Sequence, residues 1–248
     1  MPLMIRFDPS AELDVWPTIA PEELESGTPV QRGLTLLDEP THGLSAGLWD
    51  CTAQTSVWMD QPSHEFMLLL EGEVTIVEAS RETTFRAGDA FVLPQGLRCQ
   101  WRQPGYVKKI WVTYEDPDPA AEPRSPDDHA TLVDPAGPLV PSAPLPPEIL
   151  LSAAPSQAAR DDFVDPTGQF AAGVWATSAY HRRAFPFDRW ELMHIVEGET
   201  TLADPDGGTE TVGAGDTFLV PLGEVRSWGG HGDLRKVFCL FKPDGQDA

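Results

Sequence analysis

Glu65 and Glu191 head two apolar runs, EFMLLLEG and ELMHIVEG, at the same place in two copies of one segment. A carboxylate opening a strand that is apolar on both faces needs a cation, a metal or hydrogen-bond donors to remain charged. The chemistry within its reach is general acid–base catalysis, metal ligation or recognition of a polar ligand. In the first copy Glu65 is preceded by a second acid, Asp60, and by Trp58, which has no counterpart in the second copy; the thiol of Cys99 follows downstream. The second copy carries Arg226 where the first has Cys99. We therefore expect Glu191 and Arg226 to form a buried ion pair, with recognition of an anion by Arg226 as the alternative. His64 and His194 lie one and three residues from their glutamates, which turns them to the opposite strand face.

Both glutamates owe their position to an internal duplication. GLWDCTAQTSVWMDQPSHEFMLLLEGEVTI, from Gly47, aligns without a gap on GVWATSAYHRRAFPFDRWELMHIVEGETTL, from Gly173. FRAGDAFVLPQGLRCQW, ending at Trp101, aligns on TVGAGDTFLVPLGEVRSW, ending at Trp228. The repeat is domain-sized, too long for a solenoid unit. Within each copy, short apolar runs alternate with Glu-Gly, Gly-Asp and Pro-X-Gly turn signals, a pattern of hairpins closing into a small β-barrel. Trp49 and Trp175 are equivalent, as are Trp101 and Trp228, so these four serve an architecture common to both copies.

The organisation expected is an N-terminal barrel with its arm at residues 1–116, a connector at 117–147, and a C-terminal barrel at 148–248. The connector is dense in Pro, Ala and Asp, which excludes a central strand or a helix interior. Leu132, Val133, Leu139, Val140 and Leu145 indicate that its second half lies extended along the protein surface.

A formal charge of -22 argues against nucleic acid as a partner, because gripping a phosphate backbone requires clustered Lys and Arg. No run is long and apolar enough for a membrane span, and the N-terminus does not read as a secretory signal. Three cysteines without CxxC spacing suit reduced thiols, so a cytoplasmic location is expected.

With these residues the chain resembles the cupins, whose two motifs are G-x5-H-x-H-x3-4-E-x6-G and G-x5-P-x-G-x2-H-x3-N. Glu65-x6-Gly72 and Gly88-x5-Pro94-x-Gly96 match in the first copy, and Glu191-x6-Gly198 and Gly215-x5-Pro221-x-Gly223 in the second. The GxW ahead of the first motif, the Trp after the P-x-G turn, and the closing K-K-I or R-K-V resemble the subfamily that includes (S)-ureidoglycine aminohydrolase and the ethanolamine-utilisation cupins. The resemblance implies an all-β fold of two tandem cupin barrels, each a double-stranded β-helix or jelly roll.

It also implies where a metal would sit, and there the chain departs from the family. Counting four residues back from the glutamate, the histidine positions fall on Trp58 and Asp60 in the first copy and on Ala184 and Pro186 in the second; the second-motif histidine falls on Cys99 and Arg226. Any divalent metal in the first barrel would rest on Asp60, Glu65 and Cys99, and none is expected in the second. The leading expectation is a bicupin that binds a small polar, nitrogenous metabolite in the first barrel. Glu65, Asp60 and Cys99 would be its reactive groups and Trp58 and Trp101 its walls, with the second barrel mainly structural. Two alternatives stand beside it: a metal-dependent hydrolase resembling ureidoglycine aminohydrolase, and a non-catalytic homodimeric scaffold or sensor.

Overall fold

The computed structural model describes residues 4–117 and 128–243, and among them the chain is built of short β-strands with no α-helix. Three proline-led single turns of 3-10 helix, Pro21–Glu23, Pro40–His42 and Pro147–Ile149, are the remaining regular elements. No helix among the described residues is long and apolar enough to cross a membrane.

Two compact units form, each a barrel of two antiparallel sheets. The first comprises Asp8–Val133 with Asp165–Gly168. One of its sheets sets His64–Glu71 between Ala90–Leu93 and Val107–Tyr114, and continues through Leu44–Cys51 to Gln31–Glu39. The other sets Arg98–Gln103 beside Glu73–Glu78, with Gln54–Ser56 and Met59–Asp60 on its far side. Of the described residues, the second unit contains Asp134–Val164, residues 169–243 and residues 4–7. Its larger sheet sets Trp190–Glu197 between Thr217–Val220 and Leu234–Phe241, with Phe170–Thr177 next in order. Its smaller sheet runs Tyr180–Pro186, Val225–Gly230, Glu199–Ala203, Thr209–Gly213.

The units thus exchange segments relative to a division at residues 116 and 148. Ile5–Arg6, from the N-terminal arm, pairs with Thr217–Val220 of the second barrel, and Thr131–Val133 of the connector pairs with Ala90–Leu93 of the first. Val140–Pro141 pairs along the edge of Gln157–Val164, where a proline without an N–H is tolerated. Leu132 and Val140 are exposed and Val133 is buried, so the second half of the connector runs extended as edge strands; its residues 118–127 lie outside the described residues.

The same turn follows the glutamate strand in both copies. Gly72 and Gly198 adopt φ of 81° and 82°, and a Cβ there would fall 2.0 Å from the Tyr106 carbonyl oxygen and 2.1 Å from that of Asp233. Only glycine combines that left-handed backbone with so close an approach. Each interior is an apolar cluster: Met67, Leu69, Phe85 and Phe91 belong to the first, Met193, Ile195, Leu202 and Phe218 to the second.

Candidate functional site

Along His64–Glu71, strand alternation sends Glu65, Met67 and Leu69 inward, and Glu65 meets a partner from the neighbouring strand. Lys109, on Val107–Tyr114, places Nζ 2.7 Å from Glu65 Oε1 and 3.1 Å from Met67 Sδ. The ammonium lies 4.8 Å from the ring centres of both Trp49 and Trp101, which meet edge to face at 6.2 Å. Gln61 Nε2 donates to Glu65 Oε2 at 3.1 Å. The indole N–H of Trp49 is held by Gln31 Oε1 and that of Trp101 by Gln103 Oε1. Charge pairing, cation–π attraction and a soft sulfur contact thus converge on one ammonium beside Glu65.

The second barrel repeats the arrangement. Lys236 Nζ lies 2.7 Å from Glu191 Oε1 and 3.0 Å from Met193 Sδ, 4.9 Å from the Trp175 ring and 5.4 Å from that of Trp228. Gln157 accepts from the Trp175 indole as Gln31 does from Trp49. Arg189 adds a second cation, its Nε 3.1 Å from Glu191 Oε2. Burial pushes the Glu191 carboxyl up, but the Lys236 ammonium and the Arg189 guanidinium outweigh it and hold the group at about 2. In both barrels a register shift accompanies the lysine: Lys108 faces Glu71 while Lys109 faces Leu69, and Arg235 faces Glu197 while Lys236 faces Ile195. A bulge that admits one extra residue re-aims the side chains beside it.

Each lysine and glutamate lines a cavity. The first cavity, of about 300 Å³, is lined by Trp49, Trp101, Leu93, Met59, Gln54, Gln61, Glu65, Cys99 and Lys109, with Glu23 and Ile19 also on its wall. The second, of about 400 Å³, is lined by Trp175, Tyr180, Phe185, Phe187, Trp228 and Phe238, with Arg182, Asp188, Arg189, Glu191 and Lys236 as its charged groups.

Of the residues singled out in the sequence, Glu65, Cys99 and Trp101 share the first cavity and Glu191 lies in the second. Trp58 and Asp60 line neither of these two cavities. Met59 pairs with Cys99 across the strands and Asp60 with Arg98, so Met59 faces inward and Asp60 outward, where it forms an exposed 3.4 Å ion pair with Arg98. Trp58 is 39% exposed. The family motif admits three or four residues before the glutamate, and the register requires three. The inward positions are therefore Met59 and Gln61 in the first barrel, Phe185 and Phe187 in the second. A one-residue slip turns every side chain of a strand to its other face.

The expected Glu191–Arg226 pair does not form. Arg226 bonds Glu224, two residues before it on the chain, and the carbonyl of Val225, while Glu191 is engaged by Lys236 and Arg189. His64 and His194 face away from their glutamates' partners as expected: His64 Nδ1 accepts from the Gln95 backbone N–H, and His194 contacts Thr217 Oγ1 at 2.8 Å. The sequence reading missed Lys109 and Lys236, although the closing K-K-I and R-K-V were visible as aligned basic pairs.

The expected metal set of Asp60, Glu65 and Cys99 is not assembled, since Asp60 points outward. Among the described residues no three His, Cys, Asp or Glu side chains are grouped to hold a metal. Where the cupin motifs carry histidines, these barrels present Met59 and Gln61 or Phe185 and Phe187, and an ammonium occupies the glutamate. These donors do not fit a divalent ion. Burial, followed by the nearby carboxylates of Glu78, Asp60 and Glu65, pushes the Cys99 thiol up to about 11, which keeps it protonated at neutral pH.

Two barrels with cupin turns, each closed by a glutamate at the motif position, define a bicupin. The EutQ-like cupin domain model matches residues 39–111 and 164–238, and the chain belongs to that family. Among solved structures, it is similar to a protein of unknown function from Pseudomonas syringae pv. tomato DC3000 (23% identity, TM-score 0.78, covering 97% of this chain and 100% of that one). It is also similar in fold to a putative dioxygenase from Nostoc punctiforme (11%, TM-score 0.62, 96% and 82%). A third likeness is to Ylba from E. coli (8%, TM-score 0.53, 94% and 90%). Among curated proteins none matches by sequence.

Proposed function

We propose that this bicupin binds a small polar, nitrogenous metabolite in its first barrel, without a metal. The observation that carries the reading is the convergence of Gln61, Glu65 and Lys109 in a cavity also walled by Trp49, Trp101, Leu93 and Met59. A few polar groups fixed in an apolar concavity set the orientation of a small ligand. Glu65 and Glu23 against Lys109 leave the lining with one excess negative charge, which favours an amine or a ureide over an anion. The resemblance to ethanolamine-utilisation cupins points to the same class. Trp101 and Trp49 supply faces against which a planar or cationic group can lie.

The reading is tested by thermal shift and tryptophan fluorescence with ethanolamine, N-methylurea and glycinamide, in the presence of EDTA. We expect at least one to bind with millimolar or better affinity in EDTA, and Glu65→Gln and Trp101→Ala each to weaken it tenfold or more. Affinity unchanged in both variants, or abolished by the chelator, would overturn the assignment.

A further inference from the structure

The second barrel was expected to be mainly structural, yet its cavity is the larger and differs in the sign of its uncommitted charge. Three cations line it: Lys236, Arg189 and Arg182. The first two are spent on Glu191, one on each carboxylate oxygen. Asp188, the other acid on the wall, pairs with Lys242 at 2.8 Å and faces Arg189 at 3.6 Å. Arg182 makes no ion pair among the described residues; its guanidinium rests 5.4 Å from the Phe187 ring and hydrogen-bonds the Tyr180 side chain, presented to the cavity from the same strand. No counterpart exists in the first barrel, where Ser56 aligns with Arg182 and Gln54 with Tyr180.

We propose that the second barrel is a separate binding site for a small organic carboxylate with an apolar or aromatic body. Arg182 is its anchor, because a guanidinium offers two parallel donors that match a carboxylate and its charge here is not already neutralised. Tyr180, a neutral phenol with its titration pushed up to about 12 by burial, stands two residues away on the same face; its oxygen accepts from Arg182 and its O–H is left as a further donor. Trp175, Phe185, Trp228 and Phe238 take the body of the ligand, and a volume of about 400 Å³ admits a molecule of one ring or a short chain. The site is independent of the first-barrel reading, since none of these residues contributes to the first cavity.

The test uses the full chain and benzoate as probe, with benzamide and benzylamine as neutral and cationic counterparts of the same size. In the wild type, benzoate should raise the melting temperature and shift the Trp175 and Trp228 indole N–H resonances while leaving those of Trp49 and Trp101 in place. Benzamide and benzylamine should bind at least tenfold more weakly. Arg182→Met should reduce benzoate affinity tenfold or more, Arg182→Lys should restore part of it, and Glu65→Gln should not change it. The wild-type spectra serve as a readout that does not depend on a variant folding. Equal binding of benzamide, shifts at Trp49 and Trp101 instead, a folded Arg182→Met that binds as wild type, or no response to benzoate at 20 mM would each overturn the proposal.

Discussion

Lys109 Nζ lies 2.7 Å from Glu65 Oε1 and stands over the rings of both Trp49 and Trp101. The ammonium therefore supplies the glutamate with a compensating positive charge, and the second barrel does the same with Lys236 and Glu191. That both copies keep the pair and its two tryptophans while other lining residues diverge makes it part of the shared scaffold. Ligand selectivity then falls to what differs: Gln61, Met59 and Glu23 in one barrel, Arg182, Arg189 and the phenylalanines in the other.

Removing the cation alone should strand a largely buried carboxylate. We expect Lys109→Met to cost about 3–5 kcal/mol in urea unfolding, and the double change Lys109→Met, Glu65→Gln to recover much of that loss. The measurement is a double-mutant cycle followed by tryptophan fluorescence; losses that simply add would show that the two residues do not stabilise one another.

The glutamates, the glycine turns and the tryptophan pairs were legible because duplication wrote each of them twice in alignment. The lysines were harder to read because their contact is made across strands. In K-K-I and R-K-V either basic residue could point inward, and the bulge opposite Lys109 and Lys236 makes the choice. Asp60 was misplaced for a related reason: the motif tolerates one residue of variable length, and one residue is the difference between the cavity and solvent. Arg226 illustrates the limit of charge matching. Sequence shows that an arginine and a glutamate share a barrel, but not that Glu224, two residues away, engages the arginine while Lys236 and Arg189 reach Glu191 from nearer positions.

Acid should weaken the second barrel through Glu191. Burial alone would raise its carboxyl, but Lys236 and Arg189 hold it at about 2 against an ordinary 4.5. With the folded value depressed, the unfolded chain binds the proton first. The stabilisation is fully present above about pH 4.5 and is lost as pH falls toward 2, on the order of 3 kcal/mol in all. Urea unfolding at pH 6 and pH 3 should show a larger loss for the wild type than for Glu191→Gln, Lys236→Met. Parallel losses in the two proteins would mean that Glu191 is not the group responsible.

Cys99 lines the first cavity and was a candidate nucleophile, and its reactivity can be read directly. Cys51 and Cys99 both have thiols pushed up to about 11, by burial first, and all three cysteines are buried and free. At pH 8 such a value leaves roughly a hundredfold less thiolate than an unperturbed cysteine, before any steric protection is counted. We expect the native protein to react with 5,5′-dithiobis(2-nitrobenzoate) at least a hundredfold more slowly than the same protein in 6 M guanidinium, where all three thiols should react. Cys99→Ser should leave first-barrel ligand affinity within threefold of wild type, as befits a wall residue. Rapid stoichiometric labelling of native Cys99 at pH 7 would show a thiolate in the cavity and return the residue to the reactive set.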